Sequence, residues 1–170
     1  MLALTVDGGR HWRLMPTPFR PARAALGPQR WWVVGGVARA RNVPPTPKLP
    51  ELQWNLFLTA NGGRSWKEID TEQPSIDGLD VVSPQDAWFW TDTTLYRTSD
   101  GGRTWTAMTL PDVLVGGAFS FSSATLGWAV GPAGYPLYRT DDGGLSWQAA
   151  TIPGLPAQGS KPKSPSKGNW

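Results

Sequence analysis

TSDGGRTW, residues 98–105, sets two adjacent glycines between a hydroxyl–carboxylate pair and a tryptophan. Alone it would mark one tight turn. It recurs as TVDGGRHW (5–12), TANGGRSW (59–66) and TDDGGLSW (140–147). Each place in the octamer has a physical role. Thr5, Thr59, Thr98 and Thr140 supply a hydroxyl for bonds within the loop. Asp7, Asn61, Asp100 and Asp142 supply an acceptor for backbone N–H groups of the same turn. The glycine pairs, with Gly9, Gly63, Gly102 and Gly144 as second members, permit the positive φ that a tight hairpin demands. Trp12, Trp66, Trp105 and Trp147 are expected to open the next strand and to cover the turn as an apolar plate. Asn61 keeps the acceptor without the charge, so a structural role is expected at this position rather than acid–base or metal chemistry.

The third octamer residue recurs at intervals of 54, 39 and 42 residues. About 40 residues is the length of a four-stranded sheet with tight turns. The best copy divides into GLDVVS (78–83), DAWFWTD (86–92), TLYRTS (94–99) and TWTAM (104–108), with Trp88 and Trp90 on one face by strand alternation. AFSFSS (118–123), TLGWAVG (125–131), PLYRTD (136–141) and SWQAAT (146–151) match it piece by piece. An earlier, looser copy shows RWWVVGG (30–36), WNLFLTA (54–60) and SWKEI (65–69). LALT (2–5) and HWRLM (11–15) read as the last two strands of a further copy. The octamer therefore falls between third and fourth strands. The long first interval holds ARARNVPPTPKLPEL (38–52), whose prolines forbid a central strand and predict a protruding loop.

Composition agrees with an all-β chain. Among 170 residues stand 20 glycines, 17 prolines and 11 tryptophans, which favours short strands and turns over long helices. No apolar run reaches the ~18 residues of a membrane helix, and no secretory signal is visible at the N-terminus. With no cysteine and one histidine, disulfide frameworks, thiolate sites and multi-imidazole metal sites are excluded. No cofactor or metal is expected. The net charge of +3 is unevenly spread: residues 1–50 carry eight basic residues and one acid, residues 51–109 four and nine. Such asymmetry suits either an acidic partner or a merely solvated surface.

The pattern T-x-[D/N]-G-G-x-x-W resembles the Asp-box, or BNR repeat, of sialidase-type β-propellers. With GWAVG (127–131), LYRTDDGG (137–144) and SW (146–147), the wider unit most resembles the photosystem II stability/assembly factor family. The resemblance covers roughly residues 2–151. It implies an all-β propeller of four-stranded antiparallel blades, and it does not fix a function, since the repeat occurs in enzymes, receptors and scaffolds. About three and a half blades are present, a partial propeller spanning residues 1–153, where closed rings use four to eight. The chain is then part of a longer propeller, or half of a homodimer that closes one ring. A third arrangement, in which LALT and HWRLM complete the last blade, ranks lower because that blade already has four strands. Residues 154–170, GLPAQGSKPKSPSKGNW, read as a disordered basic tail.

Catalytic signatures are missing: no phosphate loop and no G-x-S-x-G elbow is found. His11 lies inside an octamer, an unpromising place for a triad. A carbohydrate-active fragment is the enzyme alternative. Its candidates, Tyr96, Arg97, Tyr138 and Arg139, come from the repeated LYRT and read more simply as repeat structure. Glu51, Glu68 and Glu72 offer no pair that could span a glycosidic bond. The favoured expectation is a non-catalytic scaffold with a protein partner, no nucleic acid and no membrane span. By the resemblance, arginine-rich loops are its contact points: Arg20, Arg23, Arg39 and Arg41, joined by Trp31, Trp32 and Trp54 where exposed. An exported, extracytoplasmic bacterial setting is expected from the same resemblance.

Overall fold

The structure, a computed structural model, describes residues 1–5, 7–26, 30–38, 52–69, 71, 73, 75–132, 134 and 136–151. Arg39 and Arg41, most of the predicted 38–52 loop, and the predicted 154–170 tail lie outside the described residues.

Fourteen short strands form four antiparallel sheets among the described residues. β1 (Leu2–Leu4) and β2 (Arg13–Met15) pair only with each other as a half-blade. Blade I is β3 (Arg20–Leu26), β4 (Trp31–Ala38), β5 (Leu52–Thr59) and β6 (Lys67–Ile69). Blade II is β7 (Gly78–Val81), β8 (Ala87–Trp90), β9 (Thr94–Thr98) and β10 (Thr106–Thr109). Blade III is β11 (Ala118–Phe121), β12 (Gly127–Val130), β13 (Leu137–Thr140) and β14 (Gln148–Ala149). A 3-10 turn, Asp112–Leu114, links blades II and III. In each blade the strands pair in chain order, and β7 lies against both β3 and β11. The first strands thus share the axial side, and the chain is a partial propeller. Pairing of β1 and β2 with blade III, the third arrangement above, does not occur among the described residues.

Three apolar layers hold the stack together. Phe19, Val33 and Phe57, with Leu2 and Trp66, fill the joint between half-blade and blade I. Val34, Leu56, Ile76 and Phe89, with Ile69, Tyr96 and Trp105, fill the joint between blades I and II. Trp88, Trp90, Leu95, Met108, Phe119 and Phe121 fill the joint between blades II and III. Alternation along β8 explains its composition. Trp88 and Trp90 serve one joint and Phe89 the other, so AWFW is buried on both faces.

Two expectations change. The sequence shows no strand before Trp31 in blade I, yet RPARAAL forms β3. Its alanines have low strand propensity, and the pairing register slips between Pro21 and Arg23, a bulge that accommodates the proline. The predicted 38–52 loop is also narrower, because Ala38 ends β4 and Leu52 opens β5, paired across the ladder. Mutual hydrogen bonding along this long hairpin extends the sheet beyond the span of WNLFLTA.

Candidate protein-binding face

The four octamers form one repeated turn. The threonine hydroxyl donates to the carboxylate or amide oxygen of the third residue at 2.8, 2.9, 2.8 and 2.7 Å in chain order. The same hydroxyl accepts the N–H of Gly9, Gly63, Gly102 and Gly144 at 2.8–3.0 Å. The third residue then accepts the backbone N–H of the seventh, His11, Ser65, Thr104 or Ser146, at 2.9–3.0 Å. The glycine pair stands at positive φ throughout, from 66° to 100°. These bonds depress the carboxylates: Asp142 falls to about 2, chiefly through the Ser146 hydroxyl, and Asp7 to about 2, chiefly through the His11 N–H. Asp100 is likewise lowered, first by the Thr104 hydroxyl.

The seventh place was not singled out in the sequence, though its four occupants all carry a hydrogen-bonding side chain. Thr104 and Ser146 donate their hydroxyls to the aspartate at 2.6 Å. Asn61 reverses the direction and donates to the Ser65 hydroxyl at 2.8 Å. His11 Nδ1 meets Asp7 Oδ2 at 2.5 Å, so the single histidine is engaged in closing a turn. The tryptophans also depart from expectation. Trp12 lies over its own turn, beside Gly9. Trp66 packs edge-on to Phe19, Trp105 on Trp32 and Phe89, and Trp147 on Phe119 and Phe121. Those three rings pack into the layers between blades.

The repeated LYRT residues are structural too. Tyr96 stacks on Phe89 at 4.4 Å. Arg97 lies over the Trp88 ring at 5.5 Å, and Arg139 over Trp128 at 5.9 Å, the same relation one blade on. Of the tryptophans considered for contact, Trp31 and Trp32 are buried in the core and Trp54 is half-buried against it.

In a four-stranded antiparallel blade the first and third turns share one end and the second turn the other. The octamers take the first kind of end. The opposite end carries the junction between β4 and β5 and the starts of the axial strands. Arg20 and Arg23 belong here, as strand residues and not loop residues as the resemblance implied. Three positions apart, they would ordinarily face opposite sides of a strand. The bulge resets the alternation: Arg20 pairs with Gly36 and Arg23 with Val34, which are themselves two apart. Both arginines therefore share the side of β3 that faces blade II, and both are exposed.

Across from them stands Asp77, just before β7. Burial raises its carboxyl above the usual range, Asp92 raises it further, and Arg23 draws it back. Its Oδ2 is buried and has no hydrogen-bond partner. The axial edge thus has a cationic side on β3 and an acidic side at the mouth of blade II. Among the described residues no group of three or more histidines and acids is placed to hold a metal ion, and no helix is long and apolar enough to cross a membrane.

No protein-family model matches the chain, and no curated protein matches it. Solved structures do. One is described as YCF48 bound to D1 peptide: 19% identity, TM-score 0.55, covering 79% of this chain and 40% of that one. Another is YCF48 from Cyanidioschyzon merolae: 19% identity, TM-score 0.57, covering 80% of this chain and 38% of that one. The similarity is one of fold, that of a β-propeller, and this chain spans about two fifths of each neighbour's length.

Proposed function

We propose that the chain is a non-catalytic protein-binding module, a propeller scaffold of the Asp-box type resembling an assembly factor. Its contact surface is the cationic side of β3. The observation that carries this reading is the bulge at Pro21, which sets Arg20 and Arg23 side by side, both exposed, at the axial edge. Arg39 and Arg41, outside the described residues, join the proposal from the sequence alone. Arginine suits the role because its planar fork binds carboxylates bidentately and resists loss of charge. The partner is accordingly an acidic segment of another protein. A fold neighbour described as bound to a peptide is in keeping with this. The extracytoplasmic bacterial setting belongs to the same proposal.

The test uses acidic and charge-reversed synthetic peptides with wild-type chain and with a variant carrying Arg20→Glu, Arg23→Glu, Arg39→Glu and Arg41→Glu. Wild type should retain the acidic set, with retention falling as salt rises, and the folded variant should lose it. Equal retention by both proteins would sink the proposal. Hydrolysis of chromogenic glycosides by the purified chain would favour the carbohydrate-active reading instead.

A further inference from the structure

The repeat supplies an internal template for a joint between blades. On blade II, Trp88 pairs with Arg97 and Trp90 with Leu95, so these four side chains share one face. Blade III seats its octamer turn on that face. The Trp88 Nε1–H donates to the Gly143 carbonyl at 3.0 Å. The Arg97 guanidinium lies beside Gly143, and Leu95 and Met108 lie beneath Gly144. The previous joint is built alike, with the Trp32 ring and Ile69 beneath Gly102.

Blade III presents the same face again. Trp128 pairs with Arg139 and Val130 with Leu137, at the places of Trp88, Arg97, Trp90 and Leu95. Nothing described covers it: Trp128 is 38% exposed, where Trp32 and Trp88 are 1% and 0%. At the other end the mating half stands unseated. A Cβ placed at Gly8 would meet nothing within 4 Å, and at Gly9 only the ring of Trp12. Trp12 and Leu14 are 62% and 64% exposed. Among the described residues, therefore, both halves of a joint that the chain makes internally stand unfilled.

We propose that the outer face of blade III is a docking seat for the N-terminal octamer turn, residues 5–12, of a second copy of this chain. The contact is heterologous, head to tail. Trp128 takes the place of Trp88 and the partner's turn the place of Gly143–Gly144. Arg139, which bonds Asp141 at 2.7 Å at the rim of the seat, faces a turn that carries Asp7. Two copies bring six four-stranded blades and two half-blades around one axis, enough strands for one closed ring.

Sedimentation of the full chain tests this directly. The expected mass is twice 18.5 kDa, with Trp128→Glu returning it to a single chain whose melt stays cooperative. Because the chain lacks cysteine, Gly8→Cys and Arg139→Cys chains can be mixed under mild oxidation. A disulfide-linked pair should form in the mixture and in neither protein alone. A wild-type monomer at all concentrations, a Trp128→Glu variant that stays paired, or cross-linking of Gly8→Cys chains with one another would each overturn the proposal. A paired wild type whose mixed cysteine variants never cross-link would overturn the head-to-tail contact.

Discussion

Trp88 and Trp128 hold the same place in successive blades, and their surroundings differ. Both stand on a second strand, both sit opposite an arginine of LYRT, and both have that guanidinium over the ring. Trp88 is fully buried, stacked on Phe121 at 4.0 Å and bonded to Gly143; Trp128 looks outward. The octamer turns repeat the contrast. The turns of Thr5 and Thr98 make the same threonine and aspartate bonds, yet Thr98 is 1% exposed and Gly102 is buried, while Thr5 and Gly9 are half-buried. Local sequence builds the part. A neighbouring blade gives it its energetic weight.

Truncation should expose that difference most sharply. Trp88→Ala leaves a large cavity in the joint between blades II and III and should cost about 3–5 kcal/mol. Trp128→Ala in dilute chain should cost under about 1 kcal/mol. Denaturant titration of both variants compares them. A matching cost at the two sites would mean that Trp128 is covered in solution.

The glycine pair comes next. At Gly102 an alanine would combine φ of +81° with a Cβ 2.7 Å from the Trp32 ring. Strain and overpacking together should cost about 2–4 kcal/mol. In dilute, unpaired chain Gly8→Ala meets open space and bears the strain alone, about 1 kcal/mol. Thermal melts ranking Gly8→Ala as the worse would break the comparison.

Removing a hydroxyl is gentler. Thr98→Val orphans the buried Gly102 N–H, for about 1–3 kcal/mol. Thr5→Val leaves an N–H that water reaches, and should cost about 0.5 kcal/mol. Equal losses, read by chemical denaturation, would show that the half-blade turn is as dry as the blade II turn.

Acid should produce the smallest effect. Asp142 is held at about 2 in the folded chain, below the usual range of an unfolded aspartate. A lowered folded pKa means that its stabilisation is present above about pH 4 and is lost as pH falls toward 2. The melting temperature should therefore drop across that window. Asp142→Asn should flatten the drop, since Asn61 already shows an amide bonded to the seventh-place hydroxyl. An unchanged acid limb in the variant would show that Asp142 contributes nothing to it.

Most of the fold was legible. Glycine pairs at fixed spacing and alternating apolar strands specify local conformation through steric limits on φ and through side-chain period, both properties of nearby residues. The four turns, twelve of the strands with small shifts at their ends, and the shared face of Trp88 and Trp90 follow from these. The two strands that bring departures belong to blade I: β3 was not legible, and β5 begins earlier than its apolar run suggests. RPARAAL carries neither strand propensity nor alternation, and only pairing with β4 makes it a strand. The candidate site shared that fate. Arg20 and Arg23 were singled out, but their common side depends on a bulge, and a bulge exists only relative to a partner strand.

What the sequence determined alone is the repeated turn and the sheet built around it, because the bonds that close each hairpin lie within eight residues. Tertiary structure decided which copies of that turn are buried, where the octamer tryptophans go, and that two arginines three apart stand together. Those outcomes depend on contact between segments tens of residues apart, and desolvation, which sets the energy of a bond or a ring, is a property of the neighbour and not of the residue.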